Sequence, residues 1–421
     1  MPDKNRPGSA SGVPPEAQLP RLGENQAEGV GAASLDVQPP SSDGNQFQPN
    51  GLTGRQAQRP RPGDGRPQRP PDTERRSPPS DEHGGETAAH RGIRLDFSIS
   101  LNPLGLPAAV KEAVAGCADA LAAYPDPACR ELRRVLARRC RVSPEQILCG
   151  NGATDLLYRL CAAVKPGRVL TVAPAFSEYE RSARLGGAEV SRHRLNPAAG
   201  FAVGDDFAAA ITPDVDMVFC CQPNNPTGRL VAPATLARIV ERARLAKATL
   251  VLDECFLPFA EAPSLIPTAA AEPHVIVLRA FTKSHSLAGL RLGYAVGDPA
   301  LLAAMAACGP RWNVSVIAQL AGLAALADSA WEERSRRFVA RERAWLSAEL
   351  ACLGLSVIPS DANFILFQSA ASLFQPLLSY GILIRSCANF PGLDATWQRV
   401  GVKTRADNQT LIDALAEVLH G

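Results

Sequence analysis

Four short stretches hold the residues best suited to chemistry. In VIVLRAFTKSHSLAGLRLGYAVG (275–297), Lys283 follows an apolar run and precedes a Gly-punctuated turn and a second apolar run, with Arg291 close behind. In LVLDECF (250–256) an apolar run ends on two carboxylates, Asp253 and Glu254. A carboxylate at the end of a buried strand needs a cationic partner, and Asp253 is expected to have one. Glu254 suits the simpler task of capping the next element. In QPNNPTG (222–228) Pro, Asn and Gly make a turn after a buried strand, from which Asn225 can aim an amide into a cleft. In CGNGATDLLYRL (149–160) a strand end, a Gly-rich turn and a helix start bring Gly152, Ala153 and Thr154 together. Free N–H groups at a helix N-terminus favour a phosphate. Asp155 stands where a dinucleotide fingerprint needs its third glycine, so that fingerprint is absent.

Each stretch alone is ordinary. Together they supply a phosphate cradle, an amide donor, a buried acid, a lysine and a second cation. Pyridoxal phosphate needs those parts: a lysine for its carbonyl, an acid to keep its ring nitrogen protonated, an amide for its phenolic oxygen and a cradle for its phosphate.

The elements that must position these residues are strands and helices in alternation. RVLTVAP (168–174), VDMVFCC (215–221), ATLVLDE (248–254) and HVIVLRA (274–280) read as buried strands. GATDLLYRLCAAV, PATLARIVERARLA and DPALLAAMAACG read as helices. This spacing predicts a doubly wound, mostly parallel α/β sheet. After residue 311 one long helical stretch, SVIAQLAGLAALADSAWEERSRRFVARERAWLSAELACLG, precedes the short strands FILFQS and GILIRSC, which predicts a smaller α+β unit. No internal repeat is found.

The 421 residues suggest two or more folded units, and 46% hydrophobic residues are ample for a core. Residues 1–82 hold 15 of the 36 prolines and none of the cysteines, a composition too poor in apolar surface to fold, so they are expected to be a disordered tail. A net charge of +2 gives no electrostatic case for nucleic acid or an acidic membrane, and residues 1–82 show no helix-turn-helix pattern. No charge-free apolar run could span a bilayer, and the N-terminal residues lack the apolar core of a secretory signal. The 11 cysteines are scattered without a CxxC pair, which suits reduced thiols in a cytoplasmic protein and no metal site.

The ordered set NPTG, DE and TKSHSLAGLRLGY resembles fold-type-I pyridoxal phosphate enzymes of the class I/II aminotransferase superfamily, over residues 83–420. The resemblance implies a large, mostly parallel α/β/α domain (124–310), a smaller α+β domain (311–421) and an N-terminal arm shared with it (83–123). It makes Lys283 the Schiff-base lysine, sets Asp253 against the pyridine nitrogen and Asn225 against the phenolic oxygen, and stacks Phe176 of APAFSEY on the ring. Gly152, Ala153, Thr154 and Arg291 hold the phosphate in such enzymes, Thr282 also belongs to the cofactor site, and Tyr124 of AAYPDP reaches the neighbouring subunit's cofactor, which implies a homodimer.

Within that superfamily HGG (83–85), LDFSISLNPLGLP (95–107), ILIRSCANFPGLD (382–394) and WQRVGVKT (397–404) resemble the threonine-phosphate decarboxylases of cobalamin biosynthesis, whose relatives include the histidinol-phosphate aminotransferases that use 2-oxoglutarate. Phe256 stands three residues after Asp253, as in the decarboxylases, where many aminotransferases carry Tyr. By the same resemblance Arg385 and Arg399 bind the carboxylate and phosphate of a phosphorylated amino acid, a pairing that suits their forked guanidinium groups. Asn225 also faces that substrate, and His83 and Gly84 close over it. Ser100 occupies a substrate-contact position where these families usually carry Asn, Ala288 replaces a usual proline and Ala280 a usual hydroxyl residue.

Overall fold

The computed structural model describes residues 84–85 and 87–420. The tail expected over residues 1–82, and His83, lie outside the described residues. A short strand β1 (Leu95–Asp96) comes first, followed by the strands of the main sheet. These are β2 (Ile147–Gly150), β3 (Arg168–Ala173), β4 (Glu189–Arg194), β5 (Met217–Cys221), β6 (Thr249–Asp253), β7 (Val275–Ala280) and β8 (Gly293–Val296). Their order across the sheet is β2-β8-β7-β6-β5-β3-β4. Neighbours among β3 to β7 run parallel, and β8 is antiparallel to both β7 and β2.

The central strands β5, β6 and β7 are buried along almost their whole length, so both faces demand apolar side chains. That is why each reads as a continuous apolar run. Helices Gly152–Val164 and Pro233–Ala246 match the sequence expectation residue for residue. Edge strand β4, EVSRHR, has no buried residue and no apolar run, and the sequence reading passes over it.

A second, antiparallel sheet has the order β12-β13-β10-β9, built from β9 (Ser356–Val357), β10 (Phe364–Gln368), β12 (Arg385–Ser386) and β13 (Trp397–Gly401). Strand β11 (Ile382–Leu383) pairs in parallel with β1, which ties the N-terminal segment to this part of the fold. Phe97, Val339, Leu346, Ile365, Phe367, Leu411 and Leu415 share its core. The single long helix expected after residue 311 is two helices, Val316–Ala327 and Trp331–Cys352. The break falls at Asp328, whose Oδ1 accepts the Ala330 N–H at 3.1 Å and whose other oxygen takes Arg334 at 2.5 Å. A side chain that claims a nearby backbone donor in this way competes with the helix. Among the described residues no helix is long and apolar enough to cross a membrane, and all eleven thiols are free.

Candidate active site

Strands β5, β6 and β7 end side by side, with Cys221 in register with Asp253 and Asp253 with Leu278. Ligands of open α/β sheets bind at such carboxyl ends. A cavity of about 470 Å³ opens there, and Asp253, Lys283 and Asn225 all line it. Lys283 lies in the one-turn helix Phe281–Ser284 that follows β7 directly. The turn is held from outside: Asn102 gives its backbone N–H to the Lys283 carbonyl at 3.0 Å and its Nδ2 to the Ser284 carbonyl at 2.7 Å. Trp331 Nε1 donates to the same Ser284 carbonyl at 2.9 Å.

The electrostatics of the cavity are cationic. Burial, with the charges of Arg399 and Arg291 adding to it, lowers the Lys283 pKa from 10.5 to about 8. Asp253 has no ion pair among the described residues. The Tyr179 hydroxyl donates to its Oδ2 at 2.7 Å and the Cys255 N–H to its Oδ1 at 3.0 Å. The cationic partner expected from sequence is therefore replaced by two neutral donors, which satisfy the carboxylate without cancelling its charge. Glu254 points the other way and takes Arg279, Ser264 Oγ and the Leu265 N–H, the last at the start of helix Ile266–Ala271.

The phosphate side is built by helix Gly152–Val164, whose N-cap Asn151 makes no side-chain cap. Its first-turn N–H groups thus remain available. Gly152 has φ +81°, and a Cβ there would meet Arg291 Nη2 at 2.8 Å, so only glycine lets the guanidinium lie against the helix start. Ala153, Thr154, Thr282 and Arg291 line the cavity, whereas Gly152 is not among its lining residues and lies against the Arg291 guanidinium.

The remaining expected residues converge from both sheets. Phe176, Ser100 and Gly84 line the same cavity, as do Arg385 and Arg399. The two arginines face each other across the antiparallel pair β12–β13. Arg399 donates to Asn225 Oδ1 and, at 3.0 Å, to the Ser98 carbonyl. The bond to Oδ1 leaves the Asn225 NH2 as the group free to serve a ligand oxygen. Burial pushes the Arg399 pKa down to about 10, and Arg385 adds to the effect. Arg385 donates to Asn389 at 2.8 Å and lies 5.3 Å from the Phe390 ring centroid. Tyr124 does not join its own chain's cavity: it is 84% exposed and packs 5.2 Å from the Trp312 ring.

The Aminotransferase class I and II family matches residues 93–415. The chain belongs to that family. It is 40% identical over 352 residues to the threonine-phosphate decarboxylase of Salmonella typhimurium, covering 80% of this chain and 97% of that one. It is 36% identical over 335 residues to the histidinol-phosphate aminotransferase of Moorella thermoacetica, covering 77% and 85%. The histidinol-phosphate aminotransferase of Sinorhizobium meliloti, solved in complex with pyridoxal-5'-phosphate, matches with a TM-score of 0.70 at 26% identity over 78% of this chain and 91% of that one.

The residues of this aminotransferase-family cavity fit pyridoxal phosphate. The uncapped helix start with Arg291 accepts a phosphate, Asp253 offers an unneutralised carboxylate, and Lys283 is the amine. Two buried polar atoms, Ser100 Oγ and Arg399 Nε, have no protein partner, and both residues line the cavity. Such atoms need a ligand or water to satisfy them.

Sequence reasoning missed Tyr179, Asn102, Asn389 and Phe390. Tyr179 lies three residues after Phe176, a helical spacing that puts both side chains on one face, and that signal was present in APAFSEY. Asn389 and Phe390 sit four and five residues after Arg385 within the quoted ANFPG segment.

Proposed function

We propose that the chain is a pyridoxal phosphate-dependent decarboxylase that converts L-threonine O-3-phosphate to (R)-1-aminopropan-2-yl phosphate for cobalamin biosynthesis. The observation that carries this reading is the pair Arg385 and Arg399, 7% exposed each, opposite one another on β12 and β13 in the cavity that holds Lys283. Two adjacent buried guanidinium groups repel each other and call for two anionic groups on one ligand. Threonine phosphate carries a carboxylate and a phosphate. Histidinol phosphate carries a phosphate and no carboxylate, whereas the 2-oxoglutarate of the rival reaction carries two carboxylates, so the pair selects a dianionic ligand and turnover separates the two reactions. The relative in Salmonella typhimurium and the apolar Phe256 support the same reading.

The cofactor would be held by Ala153, Thr154, Thr282 and Arg291 at its phosphate, Phe176 at its ring face, Asn225 at its phenolic oxygen, Asp253 at its ring nitrogen and Lys283 at its carbonyl carbon. When bound, it supplies an electron-withdrawing ring that takes up the electron pair of the bond broken at the substrate's Cα. Asp253 holds the proton on the ring nitrogen, and its neutral partners leave its charge available for that task. Arg385 and Arg399 bind the substrate anions and orient the Cα–carboxylate bond. Lys283, with its pKa lowered to about 8, is protonated in the main at neutral pH and gives up that proton more readily than an ordinary lysine, so its Nζ can donate the proton that replaces carbon dioxide at Cα. Gly84 and Ser100 border the substrate side, with His83 preceding them in the chain. Tyr124, exposed and outside its own cavity, would serve the site of a second copy in a homodimer. The eleven free thiols suit a cytoplasmic setting.

The test is turnover of L-threonine O-3-phosphate by the reconstituted protein with no keto acid present. Carbon dioxide and aminopropanol phosphate in equal amounts over many cycles are expected. No carbon dioxide, together with amino-group transfer from histidinol phosphate to 2-oxoglutarate, overturns the reading.

A further inference from the structure

Tyr179 touches two walls of the cavity at once. Its ring is 1% exposed and stacks on Phe219 at 5.0 Å with an interplanar angle of 8°. The Phe176 ring meets it edge-on at 5.5 Å and 86°. Its hydroxyl donates to Asp253 Oδ2 at 2.7 Å. Phe219 lies in β5, Asp253 ends β6, and Phe176 is the N-cap of helix Ser177–Leu185, which carries Tyr179. One side chain thus joins a strand, the carboxylate of the next strand and the loop that bears the aromatic wall.

Burial holds the Tyr179 phenol well above its usual pKa, and the charge of Asp253 adds to this, so the hydroxyl stays a donor. The second oxygen of Asp253 is taken by the Cys255 N–H, so each oxygen has one fixed donor. The carboxylate cannot rotate without breaking one of them.

We infer that Tyr179 is the positioning residue of the cofactor site: its hydroxyl fixes the plane of the Asp253 carboxylate, and its ring fixes the tilt of Phe176. The inference rests on the proposed placement of Asp253 at the ring nitrogen and Phe176 on the ring face. A tyrosine in a helix reads as core in the sequence, and here the core contact and the polar contact serve different walls.

The test uses the full chain reconstituted with pyridoxal phosphate. Two quantities are read: the Kd of the cofactor, and the pH midpoint of its visible absorbance band when bound. Y179F keeps the stack on Phe219 and the edge contact with Phe176 and removes only the hydroxyl. It is expected to raise Kd about tenfold, the worth of one hydrogen bond to a charged group, and to move the midpoint upward as Asp253 draws the ring proton toward itself. In the D253N background the same substitution is expected to add less than about twofold, because the effect runs through that carboxylate. Phe176→Leu, which leaves the hydroxyl alone, is expected to raise Kd without moving the midpoint. This second variant keeps the test open even if Y179F does not fold. Wild-type Kd and midpoint in Y179F, or a wild-type Kd in Phe176→Leu, overturns the inference. A wild-type protein with no visible band overturns the cofactor reading itself, a separately recognisable result.

Discussion

In the cofactor-free protein Lys283 keeps an ammonium group where charge is costly. Its Nζ lies 5.9 Å from the Phe256 ring centroid, and both Arg399 and Arg291 line the same cavity. Burial, reinforced by those two guanidinium groups, lowers its pKa from 10.5 to about 8. At about 1.4 kcal/mol per pH unit, holding the proton costs the folded state about 3 kcal/mol at neutral pH. The sign follows from proton counting. The folded pKa lies below the unfolded one, so between pH 8 and 10.5 the unfolded chain binds more protons than the folded one. The wild type therefore gains stability as pH rises through that window. Lys283→Met keeps a flexible apolar stem and removes the charge. The cofactor-free variant is expected to be more stable than the wild type by about 3 kcal/mol below pH 8, with that advantage fading by pH 10.5. Urea unfolding of the two proteins across that pH range, followed by tryptophan fluorescence, measures the gap between their midpoints. A gap that stays constant with pH refutes this account of Lys283.

Four further substitutions probe the frame around the lysine. Asn102→Asp sets a carboxylate oxygen against the Ser284 carbonyl that Nδ2 now serves at 2.7 Å. It is expected to cost about 2 kcal/mol in equilibrium unfolding and to weaken cofactor retention. Ser335→Ala, which removes a different partner of Asn102, is expected to leave retention intact. His285 is pushed down to about 4 from 6.5, first by burial, so the unfolded chain binds more protons between those values and stability falls as pH drops through them. His285→Gln is expected to flatten that acid loss, as read from unfolding midpoints between those two pH values. Gly293→Ala would bring a Cβ to 2.7 Å from Ala153 N and 2.8 Å from the Gly152 carbonyl carbon. Both are backbone atoms, so the helix start must move, and cofactor retention measured by dialysis is expected to fall more than tenfold.

What could be read from the sequence follows from where each side chain's partner lies. Strands β5, β6 and β7 are buried on both faces and announce themselves as apolar runs, whereas β4 lies at the edge with polar side chains and announces nothing. Lys283 and Asp253 stand out because a charge at the end of an apolar run is costly wherever the chain goes next. Their supports do not stand out, because topology chooses them. Tyr179 lies 74 residues from Asp253, and Asn102 lies 182 residues from Ser284. Nothing near Asn102 in sequence says that it caps the carbonyl end of a one-turn helix so far away. The expectation of a cation beside Asp253 failed for a related reason. A buried carboxylate needs its lone pairs satisfied, and a phenol with a backbone N–H can do that as well as a guanidinium can. The cations of this site went instead to Arg385 and Arg399, whose pairing depends on the register of two short strands. An acid held by two neutral donors and two arginines set side by side by strand register are brought to one cavity by topology, which no local stretch of sequence encodes.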